Sequence, residues 1–474
     1  MTGVRDLRSF LAECDASVWR PNGAFAVEHE ITALQHASDR AGRYPVILIE
    51  QPQMPDGGIS EIPVLCNMTA SRALTAQMIG VDDHRLAGPE LYQRISNPIP
   101  PVTVAGNDAP VQDLVFEGEA CDLEKLPALK QHILDPGRYL TAAHATTYDP
   151  DTGIDNSAIQ RCWIKGARKM SYYTVPSSHN ARNMRKFWQN GEDCPIAFWI
   201  GHHPAVSVGS QGKMDYPESH WATAGAFLGE PLRLVASRTH GDKIMVPAEA
   251  EIVIEGWIPR DQIELDGPFG EFHGYTGPQT LAPYCNVTAI TMRKDAIYHD
   301  YGSGLTDMIV PDNMMMEGKL FGMVRSVTPT ISKIHVPVSG RRFHAYLQLT
   351  NPMGGEARDA LAAVLAYRRL KMAIVVDDDI DIFDEREMNW ALSTRVQWER
   401  DSFQLSGLSG SMIDPSLPSG ARTVSKIGID ATLPQSEFPG APKPTLPRLE
   451  VPKDATRKAL SAISGANNSE WPEL

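Results

Sequence analysis

The sequence predicts an α/β (α+β) fold, with a strand-rich middle flanked by N-terminal and C-terminal regions where helix and strand alternate. Three observations predict it. Between about 110 and 310, the runs Thr146-Thr147-Tyr148, Ile196-Ala197-Phe198-Trp199-Ile200 and Glu251-Ile252-Val253-Ile254 lie between Gly, Pro, Asp and Asn clusters, as short strands between turns do. Before them, Leu7, Phe10 and Leu11 recur at helical spacing and Pro45-Val46-Ile47-Leu48-Ile49 suits a buried strand. After them, a helix from Glu356 to Lys371 with Leu361, Val364 and Leu365 on one face feeds the apolar run Met372-Ala373-Ile374-Val375-Val376, which ends in Asp377-Asp378-Asp379. That is the pattern of an α/β layer. Several strands in succession in the middle suggest a barrel or a sandwich.

The elements divide the chain into three. Residues 1–110 form an N-terminal α/β region, closed by Asn97-Pro98-Ile99-Pro100-Pro101, which cannot continue a helix and reads as a linker. Residues 111–315 form the strand-rich domain and residues 316–474 a C-terminal α/β domain. The six prolines Pro434, Pro439, Pro442, Pro444, Pro447 and Pro452 read as an extended arm before a last helix. At roughly 150 residues per domain, the 474 residues suit two to three domains.

Composition excludes several classes. There are 44 basic and 58 acidic side chains, a formal net charge of −14, and no run of five Lys/Arg. Nucleic acid and anionic membranes are therefore poor partners. Cys14, Cys66, Cys121, Cys162, Cys194 and Cys285 are scattered without a C-x-x-C pair, so neither a disulfide framework nor a structural zinc site is expected. The start, MTGVRDLRSFLAECD, lacks the apolar centre of a signal peptide, and no window reaches about 18 uninterrupted apolar residues. A cytoplasmic location is expected.

Chemistry concentrates in Asp266-Gly267-Pro268-Phe269-Gly270-Glu271-Phe272-His273-Gly274-Tyr275. Glycine and proline favour a tight turn there, and such a turn could bring Asp266 and Glu271 to one pocket. Burial and like-charge repulsion then raise the pKa of one acid, keeping a carboxyl protonated for donation near neutral pH. A solvated surface turn is the plain alternative. In Asp155-Asn156-Ser157-Ala158-Ile159-Gln160-Arg161, a regular strand presents Asn156 on one face and Arg161 on the other unless it bulges. Arg161 suits a carboxylate held by two parallel hydrogen bonds, or an ordinary ion pair. His179, after Ser178, could ligate a metal or simply pack.

Other signatures are missing: G-x-G-x-x-G opening a helix, the phosphate loop (Gly212-Lys213 is followed by Met214), G-x-S-x-G and H-E-x-x-H. Adjacent His202 and His203 point to opposite faces of any strand, so they read as a loop.

Taken together, these residues resemble a known family. Val246-Pro247-Ala248-Glu249-Ala250-Glu251-Ile252-Val253-Ile254-Glu255-Gly256, then Asp266 to Tyr275, Ile374 to Asp381, Trp390-Ala391-Leu392 and Gly428-Ile429-Asp430-Ala431-Thr432 closely resemble the UbiD family of decarboxylases, which use prenylated FMN. The resemblance spans roughly residues 110 to 432. It implies a central split β-barrel that holds the flavin, and a catalytic set in which Arg161 matches the arginine, Asp266 the first acid and Glu271 the second. Asp266 is shorter than the glutamate common at that place.

The resemblance also implies cofactor contacts from Asn156, Ser178, His179 and Lys371, with Lys371 at the flavin phosphate. Without it, Lys371 reads as a solvated lysine at a helix end. A divalent metal, manganese, is implied at Asn156 and His179, with potassium as a further ion. Aligning on Trp221-Ala222-Thr223-Ala224-Gly225-Ala226-Phe227-Leu228-Gly229 puts His220 where the family has a glutamate as third ligand, which loses a negative charge. Glu218 is the substitute two residues away.

The activity implied is reversible non-oxidative decarboxylation of an aromatic or α,β-unsaturated acid, with Glu271 as proton donor. Asp307-Met308-Ile309-Val310 and Met314-Met315-Met316 either line the substrate pocket or pack a core. A flavin prenyltransferase is the implied cofactor supplier, and a homodimer or higher homo-oligomer the implied assembly. Alternatives are the carboxylating direction, a flavin-binding protein without activity, and a metal-dependent hydrolase using Asn156, His179 and His220.

Overall fold

The computed structural model describes residues 5–418, 420–433, 447–449 and 451–465. By contact, the chain forms two units, Met1–Ala431 and Thr432–Leu474. The second carries the helix Lys453–Gly465 with Asp454 in its first turn, where an acid complements the helix dipole. Pro434, Pro439, Pro442 and Pro444 of the expected arm lie outside the described residues.

The first unit is organised by a ten-stranded sheet. Its main path runs Asp155–Ile159, His144–Tyr148, Cys194–Ile200, Ile252–Ile258, Thr280–Met292, Lys169–Ser171, Cys162–Gly166 and Tyr139–Leu140. Every pairing along it is antiparallel. Strands Asp155–Ile159 and Cys162–Gly166 are six steps apart along this path, about 29 Å in a flat sheet at the usual strand spacing. Only Gln160 and Arg161 separate them in sequence, a reach of about 11 Å. The sheet must therefore curl until its ends meet, leaving a half-barrel whose slit is spanned by Gln160 and Arg161.

Alternation along the strands fills both faces of the curl. Ile196, Phe198 and Ile200 enter one core with Ile252, Ile254 and Ile290. Ala197 and Trp199, on the other face, pack with Val253, Trp221, Phe227, Met314 and Met315. A strand covered on both sides reads as a continuous apolar run, as 196–200 does.

The flanking regions follow the expected alternation. Helix Leu7–Glu13 buries Leu7, Phe10 and Leu11, and Val46–Ile49 is buried throughout. Strand Tyr298–His299, from beyond the barrel, pairs with Val64–Cys66 in this N-terminal sheet. Towards the other end, a five-stranded sheet is ordered Ile331–His335, His344–Leu349, Met372–Asp377, Thr423–Asp430, Ser402–Ser409. Helix Glu356–Leu365 connects its parallel pair His344–Leu349 and Met372–Asp377.

One expected element is shorter than predicted: the helix from Glu356 ends at Leu365, not Lys371. The buried Lys426 Nζ donates to the carbonyls of Leu365 at 2.9 Å and Tyr367 at 2.7 Å, satisfying carbonyls that a longer helix would bond internally. The six described cysteines are buried and free. Among the described residues no helix is long and apolar enough to cross a membrane.

Candidate active site

Arg161 sits where the sheet splits, in the two-residue break between strands rather than on a face of either. The alternation that would put it opposite Asn156 therefore does not apply, because the strand stops at Ile159. Its guanidinium is held from three sides. Nε donates to Asp266 Oδ2 at 2.9 Å, Nη2 lies 2.8 Å from the same oxygen, and Nη1 donates to Glu271 Oε1 at 2.5 Å. Tyr173 presents its ring face 4.2 Å from Cζ, and Phe269 presents its own at 5.2 Å, both cation–π geometries.

The two acids reach Arg161 because of the turn between them. Asp266 ends strand Ile263–Asp266, is fully buried, and accepts a further hydrogen bond from Ser171 Oγ at 2.6 Å. Gly267 follows with φ +77°, a conformation glycine adopts without strain, and its N–H donates to Tyr139 Oη at 3.1 Å. Strand Phe269–Gly270 pairs with Thr276–Gly277, turning Glu271 back toward Arg161. A Cβ on Gly277 would stand 3.1 Å from both Cγ and Oε1 of Glu271, so this carboxyl leans on bare backbone.

The charges are unequally tuned. Burial raises the Glu271 pKa, the charge and hydrogen bond of Arg161 pull it down, and Asp266 adds a smaller upward push; the net direction is up. Burial opposes the charge on Arg161, but Asp266 and Glu271 outweigh it and raise its pKa. The site thus holds a permanent cation beside an acid biased toward its protonated form, which equips it to orient an anion and donate a proton.

A second group of residues gathers around the start of strand Asp155–Ile159. Ser178 caps helix His179–Gln189, its Oγ accepting from Ala181 N at 3.1 Å. Ser219 caps helix His220–Leu228 in the same way, from Ala222 N at 3.1 Å. Each cap is followed by a histidine in the first helical position, and the two imidazoles stand edge to face, 6.4 Å between centroids and 87° apart in plane. Asn156 pairs with Thr147, and Thr147 Oγ1 donates to Asn180 Oδ1 at 2.7 Å. Directly paired residues share a face, so Asn156 points to the side on which the His179 helix begins.

His220 is buried, and its Nδ1 has no hydrogen-bond partner. Burial lowers its pKa to about 3, with His179 and Lys213 adding to the effect. Burial and then Arg182 lower His179 as well. Both rings are thus biased toward the neutral form, the form that binds a metal. Among the described residues no group of three His, Cys, Asp or Glu side chains is arranged for a metal; an ion here would draw on these two rings, the Asn156 amide and a ligand from outside the chain. Glu218 is exposed on the preceding turn.

Lys371 is directed elsewhere: Nζ lies 2.9 Å from Asp414 Oδ2 and donates to Ser416 Oγ at 2.6 Å. Asp307 accepts from the backbone of Asn67 at 2.9 Å and Thr69 at 2.8 Å, tying the N-terminal region to helix Thr306–Arg325. Met314, Met315 and Met316 are fully buried in core clusters, the packing alternative. The residues not singled out by sequence are Ser171, Tyr173 and Asp155. Each acts through a fold-made neighbour and carries no local signature.

Comparison with known proteins agrees with this architecture. The 3-octaprenyl-4-hydroxybenzoate carboxy-lyase N-terminal domain matches residues 21–89, its Rift-related domain residues 102–305 and its C-terminal domain residues 312–431. An anhydromevalonate phosphate decarboxylase from Methanothermobacter thermautotrophicus is 29% identical over 87% of this chain and 94% of its own. The UbiD-class enzyme HmfF from Pelotomaculum thermopropionicum, in complex with FMN, superposes with a TM-score of 0.88 at 32% identity, covering 96% of this chain and 100% of its own. An evolved dimeric form of HmfF in complex with prenylated FMN gives 0.82 at 31% identity, covering 92% and 98%.

A curled half-barrel between two α/β regions, matched by all three domains, defines a carboxy-lyase, an enzyme that removes a carboxyl group as CO₂. The chain belongs to the UbiD family of decarboxylases.

Proposed function

We propose that this enzyme catalyses reversible non-oxidative decarboxylation of an aromatic or α,β-unsaturated carboxylic acid with prenylated FMN. The observation that carries the reading is Arg161 held between Asp266 at 2.9 Å and Glu271 at 2.5 Å in the slit of the half-barrel. Loss of CO₂ from an sp² carbon leaves an electron pair there that no side chain of the site can absorb. Prenylated FMN supplies the electron sink when bound.

The chain's own residues do the rest. Arg161 orients the reacting carboxylate with the N–H groups it does not share with the acids. Asp266, with Ser171 behind it, fixes the guanidinium. Glu271 delivers the proton that replaces CO₂, and takes it back in the carboxylating direction. The donor set around Asn156 fits the phosphate end of the cofactor: two helix starts favour an anion, and the orphaned His220 Nδ1 beside His179 suits a divalent ion such as manganese. His220 is favoured over Glu218 as third ligand because it is buried toward His179 whereas Glu218 is exposed. Lys371, which the resemblance would put at that phosphate, is paired here with Asp414 and Ser416.

The test is purification after co-expression with a flavin prenyltransferase, followed by mass analysis of released cofactor and CO₂ release from a panel of unsaturated acids. A prenylated flavin with turnover supports the reading. Well-folded protein that binds no flavin yet hydrolyses esters with added manganese would replace it with the hydrolase.

A further inference from the structure

Beyond Glu271, on the side of helix Thr306–Arg325, three cations converge on one carboxylate. Asp312 contacts Lys213 Nζ, Arg342 Nε at 3.1 Å and Arg369 Nη1 at 2.6 Å. The three come from separate parts of the chain: the stretch before the His220 helix, the turn before strand His344–Leu349, and the segment freed where helix Glu356–Leu365 stops early. The sequence predicts helix for the last of these, so the cluster is a product of the fold.

One carboxylate against three cations leaves two positive charges in a largely buried place. The side chains of Asp312 and Arg342 are 8% and 10% exposed, and an uncompensated charge is costly there. Hydrogen bonding is equally unbalanced. Two guanidiniums and an ammonium offer about thirteen N–H donors, where a carboxylate accepts about four. Lys213 and Arg369 keep 22% and 29% of their side chains exposed, so the spare donors are reachable. Asp312 holds the fork in place without saturating it.

The cluster adjoins the reacting groups. Arg342 Cζ lies 4.9 Å from the ring centroid of Phe272, the residue after Glu271. Its Nη2 donates to Met308 O at 2.9 Å. Glu271 and Arg342 influence each other's ionisation, and Lys213 influences that of His220. An elongated molecule with its reacting carboxylate at Arg161 would therefore meet this second cationic group at its far end.

We infer that Lys213, Arg342 and Arg369 form a subsite for a second anionic group of the substrate, a carboxylate or phosphate, so that the enzyme acts on unsaturated acids bearing two anionic ends. The inference rests on the decarboxylase reading and narrows its substrate class. Paired guanidiniums suit such a group because they grip carboxylate and phosphate oxygens through parallel hydrogen bonds.

The test compares cinnamate with 4-carboxycinnamate, and inorganic phosphate alone, by calorimetric titration of enzyme purified after prenyltransferase co-expression. Wild type should bind 4-carboxycinnamate at least about tenfold more tightly than cinnamate. Arg342→Gln and Arg369→Gln should each abolish that preference and weaken phosphate binding, at unchanged flavin content. If the largely buried Arg342→Gln fails to fold, Lys213→Gln and Arg369→Gln carry the same comparison. Equal affinity for the two acids in wild type, or a preference surviving all three substitutions, overturns the subsite. Loss of flavin from these variants assigns the cluster to the cofactor phosphate and overturns it too. Failure of the decarboxylase reading is a separate result: no flavin in wild type, whichever acid binds.

Discussion

The carboxylate of Asp155 holds the start of the helix that carries His220: Oδ2 accepts the backbone N–H of His220 at 2.7 Å and that of Trp221 at 3.1 Å. Oδ1 accepts from Ser219 Oγ, whose own oxygen caps the helix. A residue next to Asn156 in sequence thus fixes the angle at which His220 faces His179. Asp155→Ala should destabilise the fold by about 1–2 kcal/mol, the cost of losing a cap and stranding buried N–H groups. It should also lower metal and flavin retention. Thermal melts and metal analysis of the purified variant check both; retained metal at an unchanged melting temperature would contradict the positioning role.

Glu271→Gln keeps the shape and the contact with Arg161 but removes the proton. Turnover should fall by about 10²–10⁴-fold, the usual contribution of a general acid, while the bound-flavin spectrum persists. Because the Glu271 pKa is raised, its donating form persists above the ordinary carboxylate range. Decarboxylation by wild type should then decline as pH rises through that raised pKa. The residual activity of the variant should lack that limb.

Gly277→Ala probes the same carboxyl from behind. The added methyl lies 3.1 Å from Glu271 Cγ and Oε1, so the side chain must shift by a few tenths of an ångström. A misplacement of that order at a reacting group is expected to cost on the order of tenfold or more in kcat, with little change in melting temperature. Unaltered kcat would show that Glu271 has room to spare.

His220→Ala and Glu218→Ala separate the two ligand assignments. The first should reduce metal and flavin content several-fold, whereas the second, on an exposed turn, should leave both as in wild type. The reverse pattern in elemental analysis would transfer the role to Glu218.

Away from the site, burial raises the Glu251 pKa to about 7, against the opposing pull of Arg8. A raised acid stabilises the fold fully below its unfolded pKa near 4.5, and that contribution is lost as pH climbs through about 7. Glu251→Gln lacks this dependence. Its melting temperature relative to wild type should rise between pH 5 and pH 8; a constant difference across that range would show that Glu251 does not titrate there.

Local signals in the chain located most of its elements and marked Asp266 and Glu271 as a pair that a turn could bring together. Apolar runs such as 196–200 and 372–376 became buried strands because their periodicity and flanking turns are properties of contiguous residues. The Gly/Pro-rich turn announced that Asp266 and Glu271 could meet, since that geometry is made within ten residues. Only the tertiary structure decided what lies across from them. Arg161 faces both acids because a ten-stranded sheet closes on itself at Gln160 and Arg161, a long-range event that strand alternation cannot express. The carbonyls at the early stop of the helix are met by Lys426, sixty-one positions from Leu365, and beyond that stop Arg369 joins Lys213, Arg342 and Asp312. Periodicity and turn chemistry act over a few residues and can be read along the chain. Pairings between distant segments are set by how the sheets curl and pack, so the charges they bring together become visible only in the folded protein.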